Sequence, residues 1–129
     1  MSDKNIVKAL IEEHKMTPHP EGGHYVEIFR NDDVTHIYFL LEAHENSHWH
    51  RITKTETLHF YSGSPLNRDP SKDGVEFEID QKGSNNNLTY TVEKGTCLAL
   101  KSSGAYSLLG CTVAPASEFE IYCSDIEKL

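Results

Sequence analysis

The stretch SHWHRITKTETLHF, Ser47 to Phe60, decides how this chain is read. On a strand, residues two apart face the same way, so His48 and His50 project together and Trp49 faces away. Two imidazoles so placed stand about 6–7 Å apart along the strand and can converge on one ion. The residues RITKT can turn the chain and bring Glu56 in from the neighbouring strand. Parity then puts Glu56, Leu58 and Phe60 on one inner face, with His59 and Tyr61 outward. Two histidines and a carboxylate form the facial triad of non-haem iron, and the same donors accept zinc, manganese or nickel. An H-x-H pair also arises on ordinary polar strands. A carboxylate inside a barrel needs a cation, and Arg30, Arg51 or Lys54 could serve instead of a metal.

The flanks of this stretch are strands as well. HYVEIFR (24–30) alternates, THIYFLLEA (35–43) is rich in β-branched and aromatic residues, and ETLHFYSG (56–63) ends at Gly63 and Pro65. VEFEID, LTYTVEKG, TCLALKSS, YSLLGCTVA and EFEIYCS continue the series, with NRDPSKDG and QKGSNNN as loops. Only the N-terminus differs. Ile6, Val7, Leu10 and Ile11 form one stripe at helical spacing, which predicts a helix over Asp3 to His14, capped by Ser2 or Asp3 and closed before Pro18. One short helix followed by many short strands predicts an all-β fold, an antiparallel jelly roll. Residues 1–129 are read as one domain, with 1–16 as helix and connector and 17–129 as the β-barrel.

Composition narrows the function. The chain has 129 residues and 37% hydrophobic residues, enough for one core without covalent staples. Its formal net charge of −8 works against nucleic-acid polymers and anionic membranes, which both need clustered Lys and Arg. No run approaches the roughly 18 apolar residues of a membrane span, and the polar start MSDKNIVK is no signal peptide. A cytoplasmic protein with a small-molecule partner is the expectation. Cys97, Cys111 and Cys123 form no C-x-x-C pair and read as reduced thiols, with Cys111 packed and inert.

Three separated motifs carry a resemblance. HPEGGHYVEIFR (19–30), SHWHRITKTETLHFYSGSPL (47–66) and GCTVAP (110–115), with EFEIY after it, follow one another in this order. They resemble the cupin superfamily, and most closely its small single-domain, RmlC-like family long described as a domain of unknown function. The resemblance implies a double-stranded β-helix barrel, usually homodimeric, with a pocket in its mouth. It implies that the positions of His48, His50 and Glu56 are metal ligands, and that a fourth comes from a second motif. That motif departs here. Relatives carry something like VPAGTWQA where this chain reads VEKGTCLA (92–99), so Leu98 stands at the fourth-ligand position and cannot coordinate. The family implies either a metal-dependent enzyme, of isomerase, epimerase or oxygenase type on a sugar-like or nucleotide-sugar-like substrate, or a non-enzymatic binding barrel with a degenerate site. Glu21, Tyr25, Leu58, Phe60 and Leu98 are the pocket candidates, Glu21 also being suited to brace the turn at Gly22 and Gly23. Tyr25, Phe29, Phe39, Phe60 and Tyr106 are expected in the core or the pocket wall; His19 and His24 either reach the pocket or, as is commoner for histidines beside turns, stand in solvent.

Overall fold

The apolar stripe at the N-terminus folds as the helix α1, Asp3–His14, in the computed structural model. The structure describes residues 3–20, 22–43, 45, 50–51, 53–68, 78–79, 88–95 and 97–116. Lys15 ends the helix at a φ of 57°, and the Met16 amide reaches back to the Ile11 carbonyl at 2.9 Å. This six-residue closure satisfies a carbonyl the helix leaves open, and it turns Met16 back under Val7. Both residues are buried, in a cluster with Leu40 and Leu108 that Leu10, Ile11, Val26, Tyr38 and Tyr106 flank.

The strands are β1 (Thr17–Pro18), β2 (His24–Arg30), β3 (Thr35–Glu42), β4 (His50–Arg51), β5 (Thr55–Gly63), β6 (Leu66–Arg68), β7 (Glu78–Ile79), β8 (Thr89–Val92), β9 (Cys97–Leu98), β10 (Leu100–Ser102) and β11 (Tyr106–Ala114). They form an antiparallel sheet in the order β1-β2-β3-β11-β5-β8, a three-stranded sheet β10-β6-β7 and a pair β4-β9. The mostly β, one-helix architecture is the one read from the sequence. Two details differ. Asn67 and Arg68, read as loop, belong to β6, because Leu66–Arg68 pair with Leu100–Ser102 directly after Pro65. Thr17 and Pro18, read as connector, form the edge strand β1, where a proline without an amide donor is tolerated. The stretch EFEIYCS and the loop QKGSNNN lie outside the described residues.

One core fills the space between the two larger sheets. Phe39, Leu41, Leu58, Phe60, Leu66, Val92, Leu100, Leu109 and Cys111 are buried together there, with Tyr25 and Ile37 packed against them. The opposite face of the six-stranded sheet is laid out in rows by the strand register. Phe29, His36, Thr112, Thr57 and Thr91 stand abreast on five strands, and Val26, Tyr38, Gly110, His59 and Thr89 form the next row. The α1 cluster covers the Leu40 and Leu108 end of this face.

Two irregularities change which residues face inward. The β2–β3 register shifts between Glu27 and Phe29, so Ile28 is an extra residue and Phe29 falls opposite His36 on the outer face. Phe29 is therefore 52% exposed rather than part of the core. Tyr106 likewise packs on the outer face against the α1 cluster, not in the barrel wall. On β5 the pairing slips beside Tyr61, which has no partner position between Phe60 and Ser62.

The HPEGG segment turns tightly, with the His19 amide on the Gly23 carbonyl at 2.8 Å and the Gly22 amide on the His19 carbonyl at 3.0 Å. Gly23 has a φ of 77°, and a Cβ there would stand 2.6 Å from the Leu40 carbonyl oxygen. Gly23→Ala is expected to lower stability by about 1–3 kcal/mol, read as a lower urea midpoint with unchanged slope.

Candidate functional site

Strand parity on β5 operates as read: Leu58 and Phe60 are buried in the core, and Glu56 lies on their side, half-buried. Its neighbour there is Cys111. The Cys111 thiol donates to the Glu56 carboxylate, and burial, then the carboxylate's charge, then that hydrogen bond hold the thiol well above its ordinary pKa. A thiol so held is protonated and inert, as the sequence suggested. The sequence did not show that it touches Glu56. That contact follows from cross-strand register: Cys111 pairs with Leu58, and Glu56 pairs with Val113, so the two side chains are diagonal neighbours on one face.

Two of the three cationic alternatives for Glu56, Arg30 and Lys54, have partners elsewhere. Arg30 Nε donates to Glu27 Oε1 at 2.6 Å, across the bulge of β2. Lys54 Nζ donates to the Ala116 carbonyl and so ties the start of β5 to the chain beyond β11. The side chain of Arg51 lies outside the described residues.

His50 is placed by its backbone. It is the Cα partner of Leu98 on the β4–β9 pair, while Glu56 is the partner of Val92 on β5–β8. His50 precedes Glu56 by six residues and Leu98 follows Val92 by six, so the two ladders keep a single register. The position that lacks a ligand side chain therefore stands directly across from one of the three candidate ligands. His48 and Glu21 lie outside the described residues. Tyr25 is half-buried on the inner face, where its ring meets the His19 ring edge-on at 4.9 Å. His19 also meets Phe39 at 5.2 Å, so this histidine packs against the inner-face aromatics instead of standing in solvent. His24 pairs with Leu40, and its Nδ1 is buried without a hydrogen-bond partner among the described residues.

Among the described residues no group of three or more His, Cys, Asp or Glu gathers at metal-binding spacing. His48 and the His50 ring are not part of that set. The donor chemistry nevertheless fits a divalent ion: imidazole and carboxylate suit zinc, iron, manganese and nickel, and a protonated thiol leaves the ion to them. His48, His50 and Glu56 are the residues that would hold it. Leu98 would leave its fourth side open.

A second cluster, which the sequence reading did not assemble, lies on the outer face. His36 Nδ1 is 2.8 Å from Thr112 Oγ1, His59 Nε2 is 3.1 Å from the same oxygen, and the Tyr61 hydroxyl is 3.2 Å from His36 Nε2. Burial, and then the nearby His59, lower the pKa of His36. Burial, then Tyr38 and Cys111, raise that of Tyr61. His59 is thus on the far side of the strand from Glu56. Strand parity located it; the shared threonine hydroxyl needed the register of β3, β11 and β5.

Two facing sheets around one core, with a carboxylate on the inner wall of the larger sheet, define a β-barrel of the cupin type. The chain belongs to the cupin superfamily: the family model described as Cupin superfamily (DUF985) matches residues 8–123. A hypothetical protein from Leishmania major is similar at 26% identity, with a TM-score of 0.74 over 88% of this chain and 84% of that one. A protein of Shewanella oneidensis is similar at 26% identity, with a TM-score of 0.80 over 93% and 86%. An RmlC-like cupin from Shewanella frigidimarina shares the fold at 12% identity, with a TM-score of 0.66 over 83% and 88%. No curated protein matches the chain. No helix among the described residues is long and apolar enough to cross a membrane.

Proposed function

We propose that the barrel mouth is a divalent-metal site on His48, His50 and Glu56 that acts on a small polar molecule, sugar-like or nucleotide-sugar-like in size and polarity. The observation that carries this reading is the inward Glu56, hydrogen-bonded by a neutral thiol and paired with Val92 in the same register that the separate His50–Leu98 pair keeps. The metal would supply Lewis acidity toward a substrate oxygen or water. Glu56 would contribute the negative charge, and Cys111 would fix its carboxylate by donating one hydrogen bond. Tyr25 and His19 form an aromatic wall against which an apolar sugar face can pack.

The register supports a second reading. Because Leu98 stands opposite His50, the same mouth suits a binding barrel that holds its ligand through hydrogen bonds without turnover. Metal analysis of the purified protein separates the two. Near-stoichiometric divalent metal is expected in the wild type, with loss in His48→Ala and Glu56→Ala and release below about pH 6.5, where imidazoles protonate. A folded protein that takes up no metal after supplementation removes the first reading. Thermal stabilisation by sugars or nucleotides, without turnover, then favours the second.

A further inference from the structure

Strand register brings two histidines to one point on the outer face of the six-stranded sheet, on the far side from Glu56. His36 of β3 and Thr112 of β11 are Cα partners, and His59 of β5 is the partner of Gly110, two positions before Thr112. Opposed and diagonal positions on neighbouring strands are within reach of long side chains. His36 Nδ1 and His59 Nε2 accordingly both lie within 3.1 Å of Thr112 Oγ1. A hydroxyl has a single proton and donates to only one of them, so the other ring supplies its own hydrogen. The three side chains are half-buried, and Tyr61 beside them is 37% exposed, which leaves the cluster open to small solutes.

The arrangement is close to that of two imidazoles on one ion. Zn–N bonds of about 2.0–2.1 Å at a tetrahedral angle put two ring centroids about 5 Å apart. Those of His36 and His59 stand 6.0 Å apart, with their planes inclined at 59°. Turning the Thr112 hydroxyl to another rotamer and rotating each ring slightly closes the difference.

The far nitrogen of His36 is provided for as well. A metal-bound histidine gives its other N–H to a nearby acceptor, which fixes the tautomer and the ring orientation. The Tyr61 hydroxyl is 3.2 Å from His36 Nε2 and can accept that hydrogen. A Cβ at Gly110 would collide with the same hydroxyl oxygen, so the bare backbone of Gly110 is what seats the tyrosine ring.

The geometry points to a second metal site, in which His36 Nδ1 and His59 Nε2 bind one zinc or similar borderline divalent ion and Tyr61 orients His36. The donors decide the class of ion. Imidazoles suit zinc, copper and nickel, whereas magnesium and calcium call for carboxylates, and neither row of this face carries one. A net charge of −8 draws cations to the chain as a whole. Two protein donors leave the remaining positions to water. The ion is therefore held more loosely than by three or four ligands and is lost on dialysis, unlike one held at the mouth.

Zinc titration of the full chain carrying His48→Ala and Glu56→Ala reads this site whatever the mouth binds, because two of the mouth's three donors are gone. One equivalent is expected at about pH 7.5, where imidazoles are mostly neutral. Adding either His36→Ala or His59→Ala should abolish it. Adding Tyr61→Phe instead should weaken it about tenfold, as for other partners of ligating histidines. Circular dichroism checks that each variant is folded. Nitrogen-15 NMR of the histidine rings needs no substitution at the site: zinc should shift His36 Nδ1 and His59 Nε2. The proposal is overturned by an absence of zinc uptake, or by an equivalent that survives either histidine substitution. Zinc on His36 Nε2, or an affinity indifferent to Tyr61→Phe, overturns it too.

Discussion

Leu109→Ala is expected to remove about 3–5 kcal/mol of stability, against a total of roughly 5–15 kcal/mol for a domain of this kind. Leu109 is 0% exposed on β11, the strand that pairs with β3 on one side and β5 on the other. Its Cα partners are Phe39 and Phe60, both buried. Truncation therefore opens a void between two rings on neighbouring strands. Those rings are held by ladder positions and cannot close it, which places the cost toward the upper part of the range for a buried leucine. Urea unfolding measures it: the midpoint should fall with little change in slope. A loss below about 1 kcal/mol would mean that the core collapses around the void, contrary to this packing. The same substitution at half-exposed Leu88, at the sheet edge, should fall within about 0.5 kcal/mol of wild type.

The elements that the sequence disclosed are those with a clean period and a marked end. α1 runs over Asp3–His14 as its stripe predicts, and His24–Arg30 and Tyr106–Ala114 are strands over the residues read for them. What escaped was set by contacts between strands. The extra residue at Ile28 leaves the composition of HYVEIFR unchanged but reverses the facing of everything after it, and so Phe29 moved from the expected core to the surface. Asn67 and Arg68 looked like loop because a strand of three residues, Leu66–Arg68, offers no period to detect. At the site, parity sufficed to put Glu56 with Leu58 and Phe60. The Cys111 contact and the His36–Thr112–His59 bridge each join residues more than fifty positions apart, and no local pattern encodes which strands become neighbours.

Leu98→His is expected to raise the affinity for zinc or nickel by about a hundredfold, equivalent to about 2.7 kcal/mol. The gain depends on the proposed metal site and on one structural relation, the pairing of Leu98 with His50 in the separate β4–β9 pair, whose register matches that of Glu56 and Val92. Directly opposed residues on an antiparallel pair have Cβ atoms about 4.5–5.5 Å apart, a spacing from which two imidazoles can share one ion. A fourth nitrogen donor closes a three-ligand site toward the tetrahedral set that zinc prefers. It should also cost turnover, because it occupies the position a substrate would use. Calorimetric titration of the metal-free variant reads the affinity, and His50→Ala in the same background should abolish the gain. If Leu98→His binds metal no more tightly than wild type while staying folded, position 98 does not face the site. The open fourth position would then be a feature of some other part of the mouth. If instead the gain survives His50→Ala, the new histidine binds metal without the proposed partner, and the ligand set of His48, His50 and Glu56 falls with it.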